Sequence, residues 1–186
     1  MDPSPTEVSV ALTASTFLMA LAFESNMRGI VSAVARIKND DNIIAKIILF
    51  TNAASMLQIV GFEWANYTSK STCAPVNLLS NLAYHLMMLS FDAFLLYKTW
   101  LVSSKQRRVL IPAAVLVLHR LCWGIVDLMH SFGTWDVASQ ACIWIPDPNA
   151  AYGFYSADIL CDLFSTVATV LICRRYLSSD IRKLFV

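Results

Sequence analysis

Long apolar stretches broken by short polar clusters dominate this chain. The first stretch runs from Val8 to about Met27, and helical spacing continues to Ile37 before Lys38-Asn-Asp-Asp-Asn42 interrupts it. Further stretches cover residues 43–66, 76–101, 109–130 and 152–177. Each approaches the roughly 20 residues that a helix needs to cross the hydrocarbon core of a bilayer. The pattern therefore predicts an all-α fold: a polytopic transmembrane helical bundle with five spans, forming one integral membrane domain over residues 1–186. The polar segments 67–75 and 103–108 read as loops. Residues 131–151 read as a longer loop holding Pro146-Asp-Pro-Asn149. Pro112 falls in the first turn of the expected fourth span, where proline is tolerated.

Composition agrees with a membrane chain. Of 186 residues, 57% are apolar and 15% are charged, against about 25% charged in an ordinary soluble domain. The net charge of +1 supplies no basic field for nucleic acid. The distribution of lysine and arginine sets an orientation, because cytoplasmic loops collect them. One side holds Arg28, Arg36, Lys38, Lys46, Lys98, Lys105, Arg107, Arg108, Arg174, Arg175, Arg182 and Lys183, and the other holds Lys70 alone. That places the N-terminus outside and the C-terminus in the cytoplasm, which needs an odd number of spans. The acidic tail Met1–Glu7 lacks the basic start of a cleaved signal peptide, so the first span is expected to act as its own targeting element. Asn66-Tyr67-Thr68 is a glycosylation sequon on the expected outer side. Trp64, Tyr67, Tyr152, Trp100 and Tyr176 lie near span ends, as an interfacial aromatic belt does. The expected location is the plasma membrane or an endomembrane.

The five cysteines form no CxxC pair, so zinc is not indicated. Cys73 and Cys142 both fall in expected outer loops, where disulfides persist; a bond between them, or two free thiols, are the two readings. The arrangement resembles the seven-helix, G-protein-coupled-receptor-like family. In that family a cysteine at the outer end of the third helix bonds one in the loop between the fourth and fifth. The inner end of the third span, Leu95-Leu96-Tyr97-Lys98-Thr99-Trp100, occupies the place of that family's Asp-Arg-Tyr motif, with one basic residue matching. The resemblance implies a unit equivalent to the first five of seven helices. The fifth span lacks proline, no Asn-Pro-x-x-Tyr motif occurs, and no sixth or seventh span follows by Val186. G-protein coupling is therefore not carried over.

Ionisable groups within spans are the remaining chemistry. Each costs about 2.5–3.5 kcal/mol on insertion scales, so such groups face a partner or a cavity. Asp92, His119, Arg120, Asp127, Asp158 and Asp162 are the candidates, with Glu24, Glu63 and His85 nearer span ends. At about 1.5 Å per residue, Arg120 lies roughly 18 Å from the basic end, Asp162 roughly 21 Å and Asp92 roughly 14 Å. Asp162 is therefore the expected partner of Arg120, and Asp92 the second choice. Asp158 and Asp162 share a helix face through their i, i+4 spacing. Together with Asp127 they are expected to line a polar pocket opening outward between the third, fourth and fifth spans. Helix-stitching ion pairs are the plainer reading of the same residues.

No short catalytic motif appears, and His85, His119 and His130 do not meet at one depth as metal ligands would. The expectation is a receptor-like or interaction-type protein, not an enzyme, with no metal and no cofactor. Its expected partners are the bilayer and either other membrane proteins or a small ligand. A small transporter or channel using the intramembrane acids is the alternative, and an intramembrane enzyme the third reading.

Overall fold

The computed structural model describes residues 5–39, 42–138 and 141–184, with side chains described for Ala14 and from Phe17 to Arg174 apart from Asn66. The sequon side chain of Asn66 therefore lies outside the described residues, as do the side chains of Arg175, Arg182 and Lys183.

Five helices run up and down: α1 (Pro5–Asn39), α2 (Ile43–Asn66), α3 (Cys73–Val102), α4 (Arg107–His130) and α5 (Pro148–Leu184). All five are long and apolar enough to cross a membrane. Short connections force neighbours antiparallel, so Arg36, Lys38, Lys46, Lys98, Lys105, Arg107 and Arg108 gather at one end, called here the basic end. α3 is central: α1 and α2 lie on one side of it, α4 and α5 on the other.

The burial pattern is inverted relative to a water-soluble protein. Most buried positions are small or polar, among them Ala45, Ala54, Ala83, Ala113, Ala150 and Ala157, whereas Phe17, Phe50, Leu118, Ile159 and Leu171 are exposed. Among the described residues, the largest fully buried side chain is Arg120. Small residues let helix backbones approach where lipid removes any hydrophobic drive between helices. Gly61 shows this on α2: a Cβ there would sit 3.0 Å from the Ser80 Cβ of α3. Thr51 and Ser90 hydrogen-bond across the same interface at 2.8 Å, and Asn26 of α1 donates to Ser55 of α2 at 2.8 Å.

Several boundaries differ from the sequence expectation. Among the residues whose side chains are described, the membrane-length stretch of α1 is Phe17–Asn39, and the helix itself continues to Asn39, past the expected span end at Met27. Arg28, counted with the basic loops, falls inside it and pairs with Glu24 at 2.6 Å. α4 begins at Arg107, so Pro112 sits in its second turn, and the Arg108 carbonyl lacks that helical donor. α3 ends in paired bonds from Lys105 N to Trp100 O and Ser104 N to Leu101 O, both 3.0 Å. This is a Schellman closure, built here with Ser104 and Lys105 at φ 57° and 62° instead of glycine.

The expected long loop is not featureless. Strands β1 (Phe132–Asp136) and β2 (Ala141–Ile145) pair antiparallel, with Phe132 opposite Ile145 and Trp135 opposite Cys142. The helical-bundle expectation holds, and the loop expected at 131–151 is corrected to one that carries a β-hairpin. The hairpin lies over α3, and Gly133 permits the close approach: a Cβ there would fall 2.6 Å from the Asn77 Cβ. Beyond it, Asp147 caps α5 by accepting from Ala150 N at 2.8 Å, and Pro148 takes the first helical position. Both choices follow standard helix-start chemistry.

Candidate functional site

The disulfide reading is the one found. Cys73, in the first turn of α3, is bonded to Cys142 of β2, with 5.5 Å between Cα atoms. Asn77, one turn further along α3, donates to the Cys73 carbonyl at 3.1 Å and to the Cys142 sulfur at 2.7 Å. The hairpin is thus clamped to the start of the central helix.

From this end a chain of polar contacts descends into the bundle. The Asp147 N–H donates to Ser131 Oγ at 2.9 Å, and that hydroxyl donates to Asp127 Oδ1 at 2.6 Å. Asp127 Oδ2 accepts from Asn81 Nδ2 at 2.7 Å and faces His85 Nε2 at 2.8 Å. Three donors thus satisfy a carboxylate that is almost wholly buried. On its other edge, His85 Nδ1 lies 3.1 Å from Arg120 Nη1. A guanidinium only donates, so Nδ1 accepts and the proton sits on Nε2, aimed at Asp127. The two neighbours therefore select one neutral tautomer of His85.

Arg120 ends the chain. It is 1% exposed. Its Nε donates to Asp158 of α5, and Asp92 of α3 lies 3.8 Å away on the same nitrogen. Phe154, one turn from Asp158 toward the hairpin, places its ring 5.2 Å from the guanidinium carbon, a cation–π geometry. The same ring meets His85 edge-on at 5.2 Å. Phe154 occupies the space directly on the hairpin side of the ion pair. Arg120 Nη2 and Asp92 Oδ2 have no hydrogen-bond partner.

Of the residues singled out from sequence, Asp92, Arg120, Asp127 and Asp158 come together. His119 does not: it accepts from Trp123 Nε1 at 3.0 Å on another face of α4. Asp162, the depth-matched partner expected for Arg120, is exposed. The reason is rotational. The buried stripe of α5 passes through Ala150, Phe154, Ala157 and Cys161. Asp158 sits at its edge, and a further step of four residues turns about 40° away from it.

His85, expected nearer a span end and outside the pocket, is the additional member of the cluster. A usable signal existed: His85, Asp92 and Thr99 recur every seven residues along one face of α3, and all three are buried. Arg120 and Asp127 repeat the same spacing on α4. Among the described residues, no three His, Cys, Asp or Glu side chains are arranged to hold a metal ion.

An apolar cleft of about 140 Å³ lies beside the cluster, between α3 and α4. His85, Arg120 and Gly124 border it, together with leucines of both helices and Ile125. At the basic end a second cleft separates α3 from α5, near the Thr99–Ser165 hydrogen bond of 2.8 Å.

The chain matches no protein-family model, no curated protein and no solved structure. The functional reading therefore rests on the site itself.

Proposed function

We propose that this is a receptor-like membrane protein in which events at the hairpin end are passed to the bundle interior. The observation that carries the reading is the unbroken series Asp147, Ser131, Asp127, His85, Arg120, Asp158, which joins the hairpin end to three helices. Buried polar groups cost free energy unless paired. Displacing any link therefore forces the next to find a new partner, which is the behaviour of an element with discrete arrangements. The disulfide gives the hairpin a fixed base from which such a displacement acts. In this reading the hairpin end faces outside and the basic end the cytoplasm, in keeping with the positive-inside rule.

Ser131→Ala tests the proposal, because it removes the Asp147-to-Asp127 bridge without touching Arg120. Spin labels at Cys173, which is free and exposed, and at Gln106→Cys report the separation of α5 from the start of α4 at the basic end, with Cys122 replaced by serine. The proposal expects the distance distribution to shift or broaden in Ser131→Ala. An unchanged distribution leaves a purely structural network and overturns the relay. Proton flux in reconstituted vesicles that disappears in Asp158→Asn would overturn it in favour of a transport path.

A further inference from the structure

The geometry points to the α3–α4 cleft as a binding site for an uncharged aliphatic molecule carrying one hydrogen-bond-accepting oxygen. The walls set the first requirement. Leu82, Leu86 and Leu89 of α3 face Leu121, Ile125 and Leu128 of α4, and almost all the accessible lining is apolar. Leu82, Leu121 and Ile125 are exposed, so the cleft opens sideways, toward the lipid of a surrounding bilayer. Its volume of about 140 Å³ is close to that of apolar cavities that take a benzene-sized guest of about six heavy atoms. A longer chain extends through the open side.

The floor sets the second requirement. Gly124 lies between His85 and Arg120: a Cβ there would stand 3.4 Å from His85 Nδ1 and 3.5 Å from Arg120 Nη1. With no side chain at this position, the polar edge of the cluster borders the cleft. Arg120 lines the cleft with Nη1 beside Gly124 and against His85, and the neighbouring Nη2 of the same buried guanidinium has no acceptor. An unpaired charged donor away from water is costly, and an oxygen on the guest supplies the missing acceptor.

The local charge sets the third. Asp158 and Asp92 face the guanidinium, Asp127 lies one link further on behind His85, and His85 is held neutral by its two neighbours. A carboxylate or phosphate guest would meet an excess of negative charge, so a hydroxyl, ketone or ester oxygen is selected. This inference goes beyond the relay proposed above, and binding is read without any signal.

The test uses the full chain in nanodiscs and a nine-carbon aliphatic alcohol with a diazirine on its chain. Photolabelling is expected on the segments 82–89 or 121–128. At equal concentration in the membrane, 1-heptanol should compete about tenfold better than heptane, the modest end of a hydrogen bond to a charged donor. Gly124→Leu fills the floor and Leu121→Trp narrows the opening; each should reduce labelling about tenfold, as overpacking does. Circular dichroism and retention of the Cys73–Cys142 bond report folding. Equal competition by heptane and heptanol in the unaltered protein overturns the proposal, as does labelling that lies elsewhere or persists in both folded variants.

Discussion

Replacing Arg120 with methionine removes the cation that faces Asp92 and Asp158 while keeping a long apolar side chain in its place. The two carboxylates differ in exposure, at 2% and 14% of the side chain, and neither has another basic partner among the described residues. Breaking a buried ion pair from one side costs about 3–5 kcal/mol, because the remaining charge is left uncompensated. His85 Nδ1 also loses its donor. Against a total stability of about 5–15 kcal/mol, this is a large fraction. Asp158→Asn is expected to cost less, about 1.5–3 kcal/mol for a hydrogen bond to a charged group, because Asp92 still faces the guanidinium at 3.8 Å. Combining the two substitutions removes one of the stranded acids, so the double variant should be more stable than the sum of the singles predicts by about 1 kcal/mol or more. Unfolding in mixed micelles with increasing SDS, followed by circular dichroism, gives the three values. If Arg120→Met costs no more than Asp158→Asn, or if the two effects simply add, the account of the cluster as a mutually dependent charge group is wrong.

Three further outcomes follow from the packing. Replacing Cys73 and Cys142 by serine opens a link across 69 residues and should lower stability by up to about 4 kcal/mol, judged from loop-closure entropy and read in the same unfolding assay. Gly153→Ala would drive a methyl into the Trp123 ring; a loss of about 1–3 kcal/mol is expected, and a neutral result would mean that α4 and α5 are not so closely packed. His85→Leu removes both the donor to Asp127 and the acceptor for Arg120, so it should cost about 1–3 kcal/mol, whereas the same change at His119, on another face of α4, should cost measurably less.

The sequence by itself determined the number of helices, their approximate lengths and the clustering of basic residues at one end. These depend on consecutive apolar residues and on alternation of direction, both of which are local in the chain. The same alternation brought Cys73 and Cys142 to one end, and proximity across short connections did the rest. The hairpin was partly legible: Phe132, Thr134, Trp135, Ile143, Trp144 and Ile145 are strand-favouring residues on either side of a short link. What hid it was that the segment is too short for a further span and holds Pro146-Asp-Pro-Asn149, so it read as a loop throughout.

The tertiary structure alone decided which acid meets Arg120. Depth along the helix favoured Asp162, but the angle at which α5 packs is set by the small side chains of Ala150, Ala157 and Cys161, and that angle presents Asp158 instead. It also decided that His85 joins Asp127 and Arg120, since the facing positions of α3 and α4 follow from how closely small residues let the backbones approach. Depth is fixed by counting residues along one helix. Rotation is fixed by the surface of the neighbouring helix, which the chain supplies from dozens of positions away.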